Sequence, residues 1–204
     1  IRYLMRHRHT TPFEMVEFKF HCKMPIFVAR QWVRHRTANI NEYSLRYSEA
    51  RDEFYLPNPD HIQFQSALNK QGRMGEVSDQ LKNKVHKYFK EISDRSFEIY
   101  SELNNDGVAR ELARAILPVN LYTEWYWKND LHNLLHFIGL RSDSHAQYEI
   151  RVFSDAMADS VKAVAPFAWE AYQDYAVSGL RFSRIEHTIL EKQLPNRVVD
   201  DILE

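Results

Sequence analysis

Residues 30–47 read RQWVRHRTANINEYSLRY, with arginines at 30, 34, 36 and 46, beside His35, Glu42, Ser44, Gln31, Asn39 and Asn41. Charges of this density cannot sit unpaired in a core, where each would cost several kcal/mol. Arginine offers a planar fork that fits phosphate oxygens and keeps its charge. Gln31, Asn39 and Asn41 can donate and accept in one plane, which suits the edge of a nucleobase or an isoalloxazine. Glu42 could hold a ribose hydroxyl or anchor an arginine, and Ser44 could donate to a phosphate. Arg114 and Arg141 are further candidates for such a site. On residue types alone, two readings stand side by side: a nucleotide or flavin site, and a salt-bridged structural loop.

No hydrolytic constellation competes with them. No serine lies in a nucleophile elbow. A Ser44–His35 pair is conceivable, but spacing alone does not join the two. With five glycines in 204 residues, the chain carries neither a Walker loop nor a Rossmann fingerprint. In residues 6–9 each histidine alternates with an arginine, an arrangement that opposes metal binding. An enzyme built this way would leave the difficult chemistry to a cofactor and supply orientation and electrostatics itself.

The elements that must position these residues follow from periodicity. Residues 1–9 read as the end of a helix that stops before Pro12, with Thr10 or Thr11 as a cap. Residues 15–24 alternate, Val16, Phe18, Phe20 and Cys22 facing one way, as in a half-buried strand. Cys22 then behaves as an inert small hydrophobe. Pro25 opens a helix through residue 36 with a buried stripe of Ile26, Ala29 and Val33. Residues 37–48 read as loop, residues 53–56 as a short strand, and residues 60–75 as a polar, mobile connection. Residues 76–103 carry the longest helical pattern (Val77, Leu81, Val85, Tyr88, Phe89, Ile92, Ile99, Tyr100, Leu103), ended by Asn104 to Gly107. A short helix around Arg110 and Arg114 stops at Pro118. Residues 119–127 are apolar or aromatic on both faces, as in a strand inside a sheet. Asp130 caps the next helix, with Arg141 just past its end. Ser144 and Gln147 form a capping box for a helix to about residue 164. Pro166 opens another helix, and the charged tail from Ser183 is peripheral.

Composition sets the outer limits. Hydrophobic residues make up 44%, charged residues 27% and aromatics 13%, as in a soluble globular domain. The net charge of −1 gives no global drive toward nucleic acid or membrane. A single cysteine forbids an intrachain disulfide and fits a reducing, cytoplasmic setting. The chain opens at Ile1 within a helical pattern, which suggests that residues precede it.

These motifs resemble those of the flavin-dependent thymidylate synthases. Residues 34–44, RHRTANINEYS, fit that family's Arg-His-Arg, seven residues, Ser signature. HTTPFE, PIFVARQWVRHR, NEYSLRYSE, LPVNLYTEWYW and LRSDSHAQYEI follow in the family's order and spacing, over residues 1–175. The resemblance implies an α+β fold of the thymidylate synthase-complementing-protein type, a mixed sheet packed with long helices. It implies one domain over residues 1–204, with residues 176–204 as a tail and an N-terminal segment missing before Ile1.

The implied activity is methylation of dUMP to dTMP, with methylenetetrahydrofolate as carbon donor, FAD reduced by NADPH as hydride source, and no cysteine nucleophile. A homotetramer with shared active sites is implied, without nucleic-acid or membrane partners. By matched position, Gln31, Trp32, Val33 and Arg34 with Glu42, Tyr43, Ser44, Leu45 and Arg46 would bind dUMP. Arg114 and Arg141 would complete that site from another subunit, Arg141 as the activating residue. Thr11, Arg34, His35, Arg36 and Glu42 would touch FAD. Asp130, Leu131, His132 and His136 would close over it, and His9 would lie on the flavin and folate side. No metal is implied.

Some members carry Asn and Arg where this chain has Asp130 and His132, Asn in place of His136, and Gly in place of Leu45. An acidic Asp130 is a poor phosphate ligand, so it either meets a flavin hydroxyl or amide or caps its helix. His136 is either a ligand or a core histidine. The alternative to an enzyme is an RNA- or nucleotide-binding module that stacks bases on Trp32, Tyr43 and Tyr47.

Overall fold

The computed structural model describes residues 1–70 and 72–193. Its centre is β5 (Tyr122–Asp130), which pairs antiparallel with β1 (Glu17–Pro25) on one side and β2 (Asn39–Glu42) on the other. The register sets Cys22 opposite Trp125 and Phe20 opposite Trp127. Alternation sends Phe18, Cys22, Met24, Thr123, Trp125, Trp127 and Asn129 to a buried face, while Lys19, His21, Lys23 and Tyr126 stay exposed. Val16 precedes the strand and is exposed, so the expected alternation begins one step later.

Two helices lie against the buried face, α3 (Ile26–Trp32) and α6 (Leu131–Arg141), and α7 (Tyr148–Val164) packs on both of them. At their meeting point Trp32 is fully buried, its ring centroid 5.3 Å from Trp127, 5.4 Å from Trp125, 5.1 Å from Phe137 and 5.5 Å from Phe153. Burying one such indole is worth about 4–6 kcal/mol of transfer free energy. The stripe of α3 is Val28, Ala29 and Trp32. Val33, expected in that stripe, is 48% exposed because the helix ends before it. The Arg34–Arg36 cations need water, and after Trp32 the backbone turns outward instead of continuing to residue 36.

Residues 39–42, expected as loop, are a strand. All four are exposed and their composition is poor for a strand, so the pairing comes from the open edge of β5. Residues 60–75, expected as a mobile connection, contain a two-stranded hairpin, β3 (Phe64–Gln65) with β4 (Arg73–Met74). The expected strand at residues 53–56 is reduced to a bridge between Phe54 and Leu121.

α4 (Asp79–Asn105) is capped by Ser78 and ends at Gly107, whose φ of 82° closes the helix and brings Val108 N–H to the Leu103 carbonyl at 2.9 Å. Its C-terminal half packs against Ala50, Ala113 and Leu121, and Ala50 N–H donates to the Tyr100 hydroxyl at 2.8 Å. Tyr88 and Ile92, expected inward, are exposed, because the packed stripe runs through Phe89, Ser93, Phe97 and Tyr100 beside them. The short helical turn expected around Arg110 is α5 (Arg110–Ala113), followed by a 3₁₀ turn at Arg114–Ile116.

The Asp130 side chain caps α6. Its Oδ1 accepts from Asn133 N–H at 2.8 Å and its Oδ2 from the Asn133 side-chain amide at 2.7 Å. Arg141 is the last residue of α6 rather than one beyond it. Before α7, Asp143 accepts from His145 N–H, and the Gln147 amide turns to Glu149 instead of closing a box with Ser144.

The described residues pack as two compact units, Thr10–Val164 and, separately, Ile1–His9 with residues 165–193. In the second unit α1 (Arg2–Arg6) packs on α8 (Pro166–Tyr172), and Arg2 pairs with Glu170 and Asp174. A π turn at Gln173–Val177 and α9 (Arg184–Gln193) follow. The last part of the expected tail, residues 194–204, lies outside the described residues. No helix among the described residues is long and apolar enough to cross a membrane.

Glu149 is buried at the start of α7, where burial would raise its pKa. Donation from Arg73, Tyr55 and Gln147 outweighs that and holds the carboxyl at about 2. A depressed carboxylate contributes its stabilisation above the unfolded pKa of 4.5 and loses it as pH falls through about 2. The shift corresponds to about 3 kcal/mol. Denaturant titration of Glu149→Gln is expected to show a loss of that order at pH 7, narrowing below pH 4.5; a loss unchanged at pH 3 would contradict the account. Asp130→Ala is expected to cost about 1 kcal/mol in the same measurement, and Asp130→Asn less, since its amide oxygen can still cap.

Candidate functional site

The first cluster forms where α3 ends. His35 is half-buried, and its Nε2 accepts from Arg141 Nε at 2.9 Å. Its ring meets Phe137 edge to face at 4.9 Å, and the His136 ring lies 6.4 Å away. Burial, then the positive charge of Arg141, then His136 push the His35 pKa down to about 4, so the imidazole is neutral at ordinary pH. Burial also lowers the Arg141 guanidinium from its usual value, yet an arginine so placed keeps its charge. Arg34 and Arg36 are exposed and make no side-chain bond to any described residue, leaving two free cations beside the pair. The Oε1 of Gln31, one turn earlier, is buried without a hydrogen-bond partner. Such an orphan acceptor is costly unless a ligand N–H reaches it.

The second cluster lies after β2. Glu42 accepts from the Thr123 hydroxyl at 2.7 Å, which ties the end of β2 to β5. Tyr43 N–H donates to the Glu124 carbonyl and its hydroxyl to the Glu49 carbonyl. The chain then turns at Ser44, whose carbonyl accepts from Tyr47 and Ser48 and whose Oγ accepts from Arg46 N–H at 3.4 Å. Arg46 and Arg114 line one cavity of about 480 Å³ with Ala109, Glu111 and Leu112. Glu111 bridges them: its Oε2 meets Arg46 at 3.3 Å and its carbonyl accepts from Arg114 Nε at 3.4 Å. Two guanidinium groups against one carboxylate leave the cavity net positive, as an anion site requires.

Several expected site residues cannot use their side chains. Trp32 is wholly within the core, and Leu131 is 2% exposed. Leu45 packs on the Ala50–Tyr100 cluster. Trp32 and Leu131 can meet a ligand only through backbone, Leu45 stays half-buried, and Trp32 is unavailable for base stacking. Asp130 spends both oxygens on its cap. His136 is exposed, which removes the core-histidine alternative, and His132 is half-buried. Thr11 is exposed at the start of α2 (Thr11–Glu14). His9 belongs to the other compact unit, exposed, with its ring 5.9 Å from Tyr3.

Sequence reasoning missed Glu111, Thr123 and Phe137. Glu111 had a signal, an acid three residues before Arg114 on one short helical turn. Thr123 and Phe137 had none, because their roles depend on strand register and on the burial of the Trp32 cluster. A second cavity of about 480 Å³, lined by His61, Arg73, His145, Gln147, Tyr148 and Arg151 among others, contains none of the candidate residues. Cys22 is buried, and burial pushes its thiol up to about 11, so it is no ready nucleophile.

A flavin-dependent thymidylate synthase of Ehrlichia ruminantium (strain Gardel) is 53% identical over 192 residues, covering 94% of this chain and 65% of that protein. One from Rickettsia bellii (strain RML369-C) is 49% identical over 212 residues, covering 98% of this chain and 72% of its own length. The chain thus spans just under two thirds of the Ehrlichia protein. The crystal structure of a UMP/dUMP methylase, PolB from Streptomyces cacaoi bound with 5-Br UMP, superposes with a TM-score of 0.80 at 34% identity, over 84% of this chain and 80% of that one. Residues 1–167 match the family described as thymidylate synthase complementing protein, and the chain belongs to that family.

Proposed function

We propose that this chain is the catalytic part of a flavin-dependent thymidylate synthase that methylates dUMP to dTMP. The carbon donor is methylenetetrahydrofolate, and FAD reduced by NADPH supplies the hydride that turns a methylene into a methyl group. The observation that carries this reading is the cavity shared by Arg46 and Arg114, whose net positive charge suits the 5′-phosphate of a nucleotide. Relatives named for this activity at about half identity support it.

Within that reading, Arg46, Arg114 and Ser44 hold the phosphate. The backbone of Trp32, Val33, Tyr43 and Leu45 shapes the walls, and Glu42, steadied by Thr123, meets a sugar hydroxyl. Gln31 Oε1 accepts from a ring N–H, which satisfies its unpaired lone pairs. Arg141 faces the uracil and stabilises negative charge as C5 becomes nucleophilic. Arg34, Arg36 and Thr11 would hold the flavin's phosphates and ribityl chain, and His132 and His136 would contribute to the same flavin site. The buried, raised thiol of Cys22 supports a route without a cysteine adduct. The reading includes a cytoplasmic homotetramer whose subunits share active sites.

The protein is expected to take up FAD and turn yellow, and NADPH is expected to bleach it faster when dUMP is present. A colourless protein without affinity for FAD would sink the proposal. Arg46→Ala and Arg114→Ala are each expected to raise the dUMP KM about tenfold to hundredfold, the cost of one charged hydrogen bond. Arg141→Ala should instead lower kcat by about two to three orders of magnitude, as loss of a transition-state donor does. Steady-state kinetics separates the two classes, and equal effects on KM and kcat across all three variants would overturn the division of roles.

A further inference from the structure

Arg141 ends α6, and its Nε–H is already spent on His35 Nε2 at 2.9 Å. A nitrogen that accepts carries no proton, so His35 is neutral with its hydrogen on Nδ1. The imidazole is fixed from two sides. Its own backbone N–H bonds the Trp32 carbonyl at 2.9 Å, and its ring rests edge-on against fully buried Phe137, one helical turn before Arg141. The acceptor therefore sits on a core aromatic rather than on a free loop. No aspartate or glutamate among the described residues bonds Arg141, so a neutral nitrogen replaces the carboxylate that commonly orients an arginine.

A guanidinium can meet a ligand along its Nε–Nη side or end-on through its two Nη groups. With Nε occupied, only the end-on fork is open. Two parallel N–H donors require two adjacent acceptors. The edge of a neutral uracil offers oxygen beside an N3–H donor, which opposes one arm of the fork. A uracil that has lost the N3 proton to solvent offers nitrogen and oxygen side by side.

We propose that His35 is a positioning residue that, as a neutral acceptor bonded to Nε, holds Arg141 so that it meets the pyrimidine edge end-on. This rests on the dUMP-methylating function proposed above. It gives His35 a task distinct from the flavin contact that its place in the Arg-His-Arg signature implies. The depressed titration of His35, caused by burial, Arg141 and His136, keeps the acceptor nitrogen free of a proton.

Two variants separate orientation from packing. His35→Phe keeps a ring against Phe137 and removes the acceptor, whereas His35→Gln places an amide oxygen near the position of Nε2. His35→Phe is expected to lower kcat about tenfold or more with the dUMP KM nearly unchanged, and His35→Gln to recover most of that loss. Nitrogen-edited NMR of the full chain is expected to show His35 as the Nδ1–H tautomer, with its titration midpoint rising in Arg141→Met. Equal impairment of the two His35 variants, an Nε2–H tautomer, or a midpoint indifferent to Arg141→Met would each overturn the proposal. A chain that turns over no dUMP defeats the broader function, and the tautomer and titration measurements still decide the pairing.

Discussion

The arrangement depends on burying Trp32. That indole sits between two tryptophans of β5 and the phenylalanines of α6 and α7. A residue so enclosed fixes both the axis and the end of α3. Two and four residues later the chain must expose two arginines that nothing in the core could pair. The Arg-His-Arg segment is therefore held at its base by apolar packing and presented to solvent at its tip. Functional loops gain precision in this way, because the scaffold beneath them is rigid.

β5 extends that rigidity to the rest of the site. Its Trp125 and Trp127 face Trp32, its Thr123 steadies Glu42, and its last residue, Asp130, caps the helix that ends in Arg141. One strand thus sets the positions of the Glu42 carboxylate and of the arginine beside His35. The two clusters are separate within the chain, one at the ends of α3 and α6 and the other between β2 and α5. Both are electropositive, and both belong to one compact unit.

Much of this was legible in the residues. Alternation located β1 and β5, Asp130 announced its cap, and Gly107 announced the end of α4, because each is a local rule of backbone chemistry. The arginines of the site were visible by type and, with the family motifs, by spacing. What escaped was decided by tertiary structure. β2 is a strand of Asn, Ile, Asn and Glu that exists because β5 offers an unpaired edge. Val33 looked like the next residue in an apolar stripe, but the helix had already ended. The bond from Arg141 to His35 spans 106 positions, and no pattern in either segment encodes it.

The short tether between Trp32 and His35 works as a ruler. One end is locked among aromatics, and the other must deliver an imidazole nitrogen to a fixed guanidinium. An inserted or deleted residue there would displace the acceptor by a full residue step, about 3 Å or more. The interval from Trp32 to Arg36 should therefore tolerate a new side chain at exposed Val33 more readily than any change in its length.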